Sequence, residues 1–173
     1  MITVTRHHAY ADTSLGELLF VADDEALTGL YFPGHWYPPS AEQTGERVGP
    51  DADPVIARAV AQLRDYLAGT RREFDLPVAT HGDAFSERVW AMLREIPYGE
   101  TTTYGALAQR LGDGHLAQRV GQAVGHNPVS IVVPCHRVVG ADGSLTGYAG
   151  GLDRKRALLE LEEPAEKRAG RLF

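Results

Sequence analysis

Residues 97–128 have the sequence PYGETTTYGALAQRLGDGHLAQRVGQAVGHNP, and this stretch decides how the second half of the chain folds. Apolar residues at helical spacing predict two short helices, one over about Tyr104–Leu111 and one over about His115–Val124. Their inward-facing positions are Leu107, Leu111, Leu116, Val120 and Val124. Gly112–Asp113–Gly114 joins the two helices as a tight turn. Two short helices joined by a Gly-containing turn form a helix-turn-helix, a layout found in many nucleic-acid-binding proteins.

A further helix is predicted before this motif. Ser86 can act as its N-cap, and Pro97 ends it because proline cannot continue a helix. Its apolar face consists of Val89, Trp90, Leu93 and Ile96.

Two strands and a last helix are predicted after the motif. Ile131–Val133 and Arg137–Val139 are apolar and β-branched, and Ala141–Ser144 can turn the chain back, which is the pattern of a β-wing. The last helix covers about Leu152–Glu162, with Ala157, Leu158 and Leu161 on one face. We therefore predict a mainly helical domain with a winged helix-turn-helix over residues 81–173.

The first half of the chain, residues 1–80, has a different pattern. Short apolar runs separated by turn-prone residues predict strands at Ile2–Val4, Leu18–Val21 and Leu27–Phe32. Residues 34–54 are rich in Gly, Pro and polar residues, which predicts a loop. Asp53 and Pro54 then have the pattern of an N-cap followed by proline at the first helical position. The helix that follows carries Val55, Ala59, Leu63 and Leu67 at helical spacing, and Gly69 and a possible strand at Phe74–Val78 come after it.

Composition excludes several classes of protein. The 173 residues include 43% hydrophobic and 23% charged residues, which is typical of a globular protein. No apolar run approaches the roughly 18 residues that a membrane span requires, and the N-terminus has no apolar signal region. We therefore expect a protein of the cytoplasm with no membrane partner.

The formal net charge is −6 and is unevenly distributed. Residues 1–80 hold 6 basic and 12 acidic side chains, whereas residues 81–173 hold 11 of each. The negative total argues against indiscriminate binding of polyanions. The neutral second half leaves room for a local basic face, so the total does not exclude nucleic acid as a partner.

Cys135 is the single cysteine, which rules out an internal disulfide and a multi-cysteine metal site. It lies between Pro134 and His136, and Pro134 predicts an extended backbone at Val133, so Cys135 should emerge from a strand. A lone cysteine is often a buried, inert residue. It can also be a nucleophile that a base activates, because the thiolate is the attacking species. Adjacent residues of a strand point to opposite faces, so a direct contact with His136 is not expected, and both interpretations stay open.

No metal site is expected. His7 and His8 are adjacent and would diverge on a strand, and no cysteine is near them in the sequence.

The run IVVPCHRV at residues 131–138 closely resembles the active-site signature of the O6-alkylguanine-DNA alkyltransferases, also called methylated-DNA–protein-cysteine S-methyltransferases. Further matches lie around it in compatible order: Gly99-Glu100, Tyr104, Val120-Gly121, Asn127-Pro128, Gly147–Gly151, Leu158-Leu159 and Glu162. The resemblance is dense over about residues 82–163 and holds only in outline before them. It implies that residues 1–80 form a small α/β domain with a mostly antiparallel sheet and a helix.

The resemblance implies a protein that acts once. The cysteine would take the alkyl group from O6-methylguanine in DNA, and also from O4-methylthymine, after the base has been flipped out of the duplex. The product is a thioether that nothing in the family reverses. No cofactor is needed, because the damaged base is the alkyl donor. The implied partner is double-stranded DNA containing alkylated guanine, and the implied state is a monomer.

The resemblance also assigns roles to residues of this sequence. Cys135 is the nucleophile, His136 its base through a bridging water, and Glu162 the acceptor of the other imidazole proton. Tyr104 donates a proton to the departing guanine, and the amide of Asn127 ties the turn before the active-site strand. The residues implied to bind the base are Tyr148, Ala149, Gly150, Ser130 and Val138. Those implied to contact DNA are Tyr104, Gly105, Ala117, Gln118 and Arg119.

The sequence departs from the family at one position of the second helix of the motif. Three residues before Gly121, where the family usually has an arginine that fills the vacated base stack, this chain has Gln118. Arg119 follows, but one residue is about 100° around a helix. We expect Gln118 to enter the stack and Arg119 to contact a phosphate.

Two other classes of function remain open at this point. A non-catalytic protein that binds damaged DNA could use the same helix-turn-helix, although related lesion binders lack the cysteine that is present here. A thiol hydrolase could use a Cys–His–Glu set. Stoichiometric inactivation would exclude the hydrolase, and multiple turnover on an ester would support it.

Overall fold

The structure, a computed structural model, describes residues 5–164. Its strands are β1 (His7–Thr13), β2 (Gly16–Ala22), β3 (Leu27–Tyr31), β4 (Glu46–Arg47), β5 (Thr102–Thr103) and β6 (Val138–Val139). Its helices are α1 (Ala41–Thr44), α2 (Pro54–Leu67), α3 (Ala84–Leu93), α4 (Tyr104–Arg110), α5 (Ala117–Gly125) and α6 (Leu152–Glu162). The described residues divide into two compact units, the first made of residues 5–82 and 128–132, the second of residues 83–127 and 133–164.

The first unit is a four-stranded sheet with the strand order β3-β2-β1-β4 and the helix α2. Two of the three pairings are antiparallel, and β4 runs parallel to β1, so the expected mostly antiparallel α/β unit is confirmed. Asp53 caps α2 as predicted, since its side chain accepts from the backbone N–H groups of Val55 and Ile56. The buried residues of this unit include Ala9, Ala11, Leu18, Phe20, Ile56 and Leu63.

Several predictions for the first unit were incomplete. The strand expected at Ile2–Val4 lies outside the described residues, and β1 was missed because only Ala9 and Ala11 of HHAYADT are apolar and buried. The loop predicted over residues 34–54 contains α1 and β4. The strand expected at Phe74–Val78 is reduced to a single bridge between Val78 and Leu27.

The second unit contains the helix-turn-helix. α4 and α5 are joined through a 3₁₀ turn at Gly114–Leu116, so the second helix starts two residues later than its predicted start at His115. The helix before the motif, α3, starts at Ala84 with Asp83 as its N-cap. The predicted cap, Ser86, instead donates its backbone N–H to the Asp83 carboxylate.

The wing of the second unit is built from a parallel pair of strands. Thr102 pairs with Val138 and Thr103 with Val139, and the chain turns over Gly140–Ser144 as expected. Ile131–Val133, predicted as the other wing strand, is a turn with a single bridge residue at its end. α6 covers Leu152–Glu162 as predicted, but its buried residues are Lys155, Leu158 and Glu162 rather than Ala157 and Leu161. Over residues 5–164, no helix has the length and apolar character needed to span a membrane.

Candidate active site

Cys135 lies in a 3₁₀ turn over Cys135–Arg137 and not in a strand, so the predicted local geometry was wrong. Pro134 leads into this turn with φ −82° and ψ 66°, a conformation outside the extended strand region. The Cys135 backbone N–H donates to the carbonyl of Val133, which also accepts from Asn127 Nδ2 at 2.8 Å. This amide links Asn127, two residues after the end of α5, to Val133, two residues before the cysteine. Cys135 is 4% exposed and His136 is fully buried.

His136 is held by the carboxylate of Glu162. The distance from His136 Nε2 to Glu162 Oε2 is 2.8 Å, and both side chains are buried. With the carboxylate on Nε2, the neutral imidazole carries its proton there and presents Nδ1 as an acceptor. Nδ1 is buried and contacts no hydrogen-bond partner among residues 5–164. The imidazole therefore has a basic nitrogen available inside the site.

Arg137 completes the pairing of Glu162. Its Nε donates to Glu162 Oε1 and its Nη2 to Oε2, both at 2.8 Å, while Nη1 donates to the Ile96 carbonyl. A bidentate guanidinium is the strongest partner for a carboxylate, because two parallel charge-assisted bonds fix both oxygens. Arg137 therefore fixes the plane of the Glu162 carboxylate that orients His136.

Burial dominates the ionisation of the two central residues. Burial raises the pKa of the Cys135 thiol, and hydrogen bonds from Asn127 and Tyr148 together with the charge of Lys155 act in the opposite direction. Burial lowers the pKa of His136, and the hydrogen bond and charge of Glu162 oppose this shift. The resting site is therefore a neutral thiol near a neutral imidazole, and the thiolate forms when a base accepts its proton.

Tyr104, Thr146 and Lys155 form a second group in the same unit. The Thr146 hydroxyl donates to the phenol oxygen of Tyr104 at 3.0 Å, and Lys155 Nζ donates to the Thr146 carbonyl at 3.2 Å. Burial raises the pKa of Tyr104 and lowers the pKa of Lys155 to about 8, and each of these two residues interacts electrostatically with Cys135. A phenol and an ammonium group therefore influence the same buried thiol.

With the site described, comparison with known proteins identifies its family. Residues 7–80 match the model described as "6-O-methylguanine DNA methyltransferase, ribonuclease-like domain" and residues 84–164 the one described as "6-O-methylguanine DNA methyltransferase, DNA binding domain". The chain belongs to the 6-O-methylguanine DNA methyltransferase family. This confirms the resemblance and the enzyme class inferred from the sequence.

Relatives and solved structures of this family match most of the chain. A methylated-DNA–protein-cysteine methyltransferase of Mycolicibacterium paratuberculosis is 49% identical over 151 residues, which cover 87% of this chain and 88% of the relative. A protein of the same name from Methanosarcina acetivorans is 38% identical over 90% of this chain and 97% of the relative. The crystal structure of Mycobacterium tuberculosis OGT in complex with DNA has a TM-score of 0.81 and 42% identity, covering 93% of this chain and 97% of that one.

In this member of the 6-O-methylguanine DNA methyltransferase family, most of the residues predicted to bind the base are buried. Tyr148, Ala149 and Gly150 are buried, as is Val138 at the start of β6. Lys155 Nζ lies 6.0 Å from the centre of the Tyr148 ring. The predicted base-binding residue Ser130 belongs to the first unit, where its backbone N–H donates to the carbonyl of Leu30. Its part in binding the base stays a prediction.

The predicted DNA-contacting residues lie on α4 and α5. Gly105, Gln118 and Arg119 are exposed and Ala117 is half-buried. The guanidinium carbon of Arg119 lies 3.9 Å from the centre of the Phe85 ring on α3. Gly121 lies beside Tyr104, since a Cβ at Gly121 would be 3.7 Å from the tyrosine ring. These positions place the tyrosine between the two helices of the motif.

Sequence reasoning missed Arg137, Thr146 and Lys155. Lys155 has a recognisable signal, because it lies three residues before Leu158 and seven before Glu162, on the same face of a helix. Arg137 and Thr146 have no such signal, since their partners are distant in the chain. Over residues 5–164, no group of three or more His, Cys, Asp or Glu side chains is placed to hold a metal ion.

Proposed function

We propose that this protein repairs DNA by moving the methyl or other alkyl group of O6-methylguanine, and also of O4-methylthymine, irreversibly to Cys135. The observation that carries the proposal is the buried Cys135, followed in the chain by a buried His136 whose Nε2 is fixed by Glu162. The family supports the same reaction class. Each molecule acts once, because a thioether is not a leaving group that water can displace at neutral pH.

The thiol proton leaves through His136 in this mechanism. Glu162 holds the Nε2 proton, so the buried Nδ1 can accept a hydrogen bond from a water that also contacts the Cys135 thiol. The proton moves to the imidazole, and the carboxylate of Glu162 stabilises the resulting imidazolium. Asn127 holds the backbone carbonyl before Cys135 and so positions the nucleophile.

Tyr104 is proposed to act on the departing base, and Lys155 on the nucleophile. The sulfur–carbon bond forms as the oxygen–carbon bond breaks, and the electron pair stays on the guanine. Tyr104 is proposed to donate its phenol proton to that developing charge, and its raised pKa keeps the phenol protonated until then. Lys155 supplies positive charge beside Cys135, which favours the thiolate. Tyr148, Ala149, Gly150 and Val138 are proposed to enclose the flipped base.

The helix-turn-helix is proposed to bind duplex DNA. Extruding a base costs a few kcal/mol, which contacts with the duplex must offset. We propose that Gln118 enters the vacated stack and that Arg119 contacts a phosphate, with Gly105 and Ala117 allowing close approach of the backbone. The Phe85 ring holds the Arg119 guanidinium by a cation–π contact, which supports a fixed position for that charge.

Comparing Gln118→Ala and Arg119→Ala with wild type on duplex DNA and on a free base substrate tests these two roles. Both substitutions should lower the rate on the duplex and spare the free base. Equal losses on both substrates would contradict the assignment.

The surroundings of the reaction follow from its chemistry. A reducing compartment keeps a free thiol such as Cys135 in its reactive form, which supports the cytoplasm. All residues proposed for the thiol chemistry lie within residues 81–173 of one chain, which supports action as a monomer.

Intact-protein mass spectrometry tests the proposed function. The protein is mixed with a stoichiometric duplex oligonucleotide containing O6-methylguanine, with Cys135→Ser as the control. We expect wild type to gain the mass of one methylene per chain and the control to gain none. An unchanged mass with tight DNA binding would instead indicate a damage-binding protein, and multiple turnover on an ester would indicate a hydrolase.

A further inference from the structure

Thr146 is hydrogen-bonded to both Tyr104 and Lys155, the two residues that interact electrostatically with Cys135. Its hydroxyl donates to the phenol oxygen of Tyr104, and its carbonyl accepts from the ammonium group of Lys155. The residue lies at the end of the Gly140–Ser144 turn, just before the loop that carries Tyr148. No role for it follows from the signature around Cys135.

The Thr146 methyl group lies on the side of the Gly140 turn, away from the Tyr104 hydroxyl contact. A Cβ on Gly140 would lie 3.3 Å from the Thr146 Cγ2, so the methyl group is packed against the backbone of the turn. β-Branched side chains have few allowed χ1 rotamers. With the methyl group held on one side, the hydroxyl is directed at Tyr104.

We propose that Thr146 is a positioning residue that orients the phenol of Tyr104 as a proton donor to the departing guanine. A phenol oxygen that accepts a hydrogen bond from Thr146 keeps its own proton free for a different partner. The same bond stabilises the charge that appears on the phenol oxygen when the proton leaves. Thr146 thus acts through Tyr104 and not on the substrate.

Every proton of the methyl transfer is accounted for. The thiol loses its proton through His136 to solvent, the methyl group moves from the guanine oxygen to sulfur, and Tyr104 gives its proton to the guanine. Tyr104 then regains a proton from solvent. The net change is thiol plus methyl ether to thioether plus guanine.

The experiment compares a methyl donor whose leaving group needs a proton with one whose leaving group does not. This inference rests on the proposed function, so wild type is first shown to accept methyl from an O6-methylguanine duplex. Thr146→Val removes the hydroxyl and keeps the shape, and Thr146→Ser keeps the hydroxyl. Each is assayed under single turnover with saturating duplex DNA, and separately with methyl iodide, because iodide leaves without a proton.

We expect Thr146→Val to slow transfer from DNA by about 3- to 10-fold, the net value of one ordinary hydrogen bond. Its reaction with methyl iodide should stay within about twofold of wild type, since iodide leaves without help from the Tyr104 proton. Thr146→Ser should behave as wild type with both donors. In a Tyr104→Phe background, Thr146→Val should add no further loss, because the bond it removes is already gone.

Three results would overturn the inference while leaving the proposed function intact. They are an unchanged DNA rate in Thr146→Val, equal slowing with both methyl donors, and an additional loss in the Tyr104→Phe background. Failure of wild type to accept methyl from DNA would instead remove the proposed function. Melting temperatures of all variants, and Thr146→Ala as a second deletion of the hydroxyl, separate these effects from misfolding.

Discussion

Replacing Glu162 by Gln is expected to destabilise the second unit strongly. The carboxylate receives three N–H donors at 2.8 Å, one from His136 and two from Arg137, and its side chain is 1% exposed. Gln has almost the same shape but no charge, and its NH₂ group would face one of those donors. The Arg137 side chain, 10% exposed, would keep its charge without the anion that balances it.

The magnitude follows from the burial of this pair. Breaking a buried ion pair by neutralising one partner costs about 3–5 kcal/mol. A domain of this size has a free energy of unfolding of about 5–15 kcal/mol, so the loss is large enough to measure easily. The Arg137 side chain is 10% exposed, which lowers this expected loss of stability only slightly. Its guanidinium remains tied to the protein interior, because it also donates to the Ile96 carbonyl.

Urea denaturation followed by tryptophan fluorescence measures this loss. The chain has two tryptophans, and Trp90 is a buried residue of α3 whose indole donates to the Ala123 carbonyl. In a Trp36→Phe background, Trp90 therefore reports the second unit alone. Glu160→Gln, an exposed position on the same helix, is the matched control and should change stability by less than about 0.5 kcal/mol. A loss below about 1 kcal/mol for Glu162→Gln would refute the argument that the carboxylate balances a buried charge.

The other predictions concern pH, charge and a helix cap. Burial lowers the pKa of His136 in the folded chain, so the unfolded chain binds this proton at a higher pH than the folded chain does. The free energy of unfolding should therefore fall as the pH drops below about 6.5. A His136→Gln variant whose free energy of unfolding has the same pH dependence as wild type would contradict this. The Lys155 charge lowers the pKa of the Cys135 thiol, so Lys155→Met should raise that pKa and shift the pH profile of the reaction with iodoacetamide to higher pH. An unshifted profile would contradict an influence of the Lys155 charge on the thiol. Asp53→Ala should cost about 1 kcal/mol by removing the cap of α2, measured by circular dichroism melting. The exposed Asp51→Ala is its control, and equal losses in the two variants would show that the cap is not the cause.

Local patterns predicted the helices well where capping and periodicity agree. α2 begins after Asp53 because a carboxylate N-cap and Pro54 at the first position both favour that start. α6 occupies Leu152–Glu162 as predicted. α3 was predicted to start three residues late because Asp83 and Ser86 are both good caps, and only the folded chain shows that Asp83 is used.

The turn that carries the nucleophile could not be predicted from the sequence. Ile131–Val133 is β-branched and favours a strand, yet Ile131 has φ 72°, a region that β-branched residues rarely occupy. No local signal indicates such a conformation, because the surrounding structure imposes it. The resemblance therefore identified Cys135, His136 and Glu162 as a set, while their geometry came only from the structure.

The buried charges are the other part that the sequence did not reveal. Arg137 and Lys155 belong to residue types that are almost always exposed, so residue type alone assigns them to the surface. Their burial depends on Glu162 and Thr146, which are distant in the chain or on another element. Pairing of this kind is decided by tertiary structure.

The order in which the ribosome makes this chain has a consequence for β3. Leu30 of β3 donates its backbone N–H to Pro128 and accepts from Ser130, so the edge of the first sheet is paired by residues made about 100 positions later. Until that segment leaves the ribosome, β3 presents open hydrogen-bonding groups, the kind of edge that recruits other chains. Nascent chains and truncations that end near residue 82 should therefore aggregate more readily than the full chain. A holdase chaperone would act in this interval, between synthesis of the first sheet and arrival of its last partner.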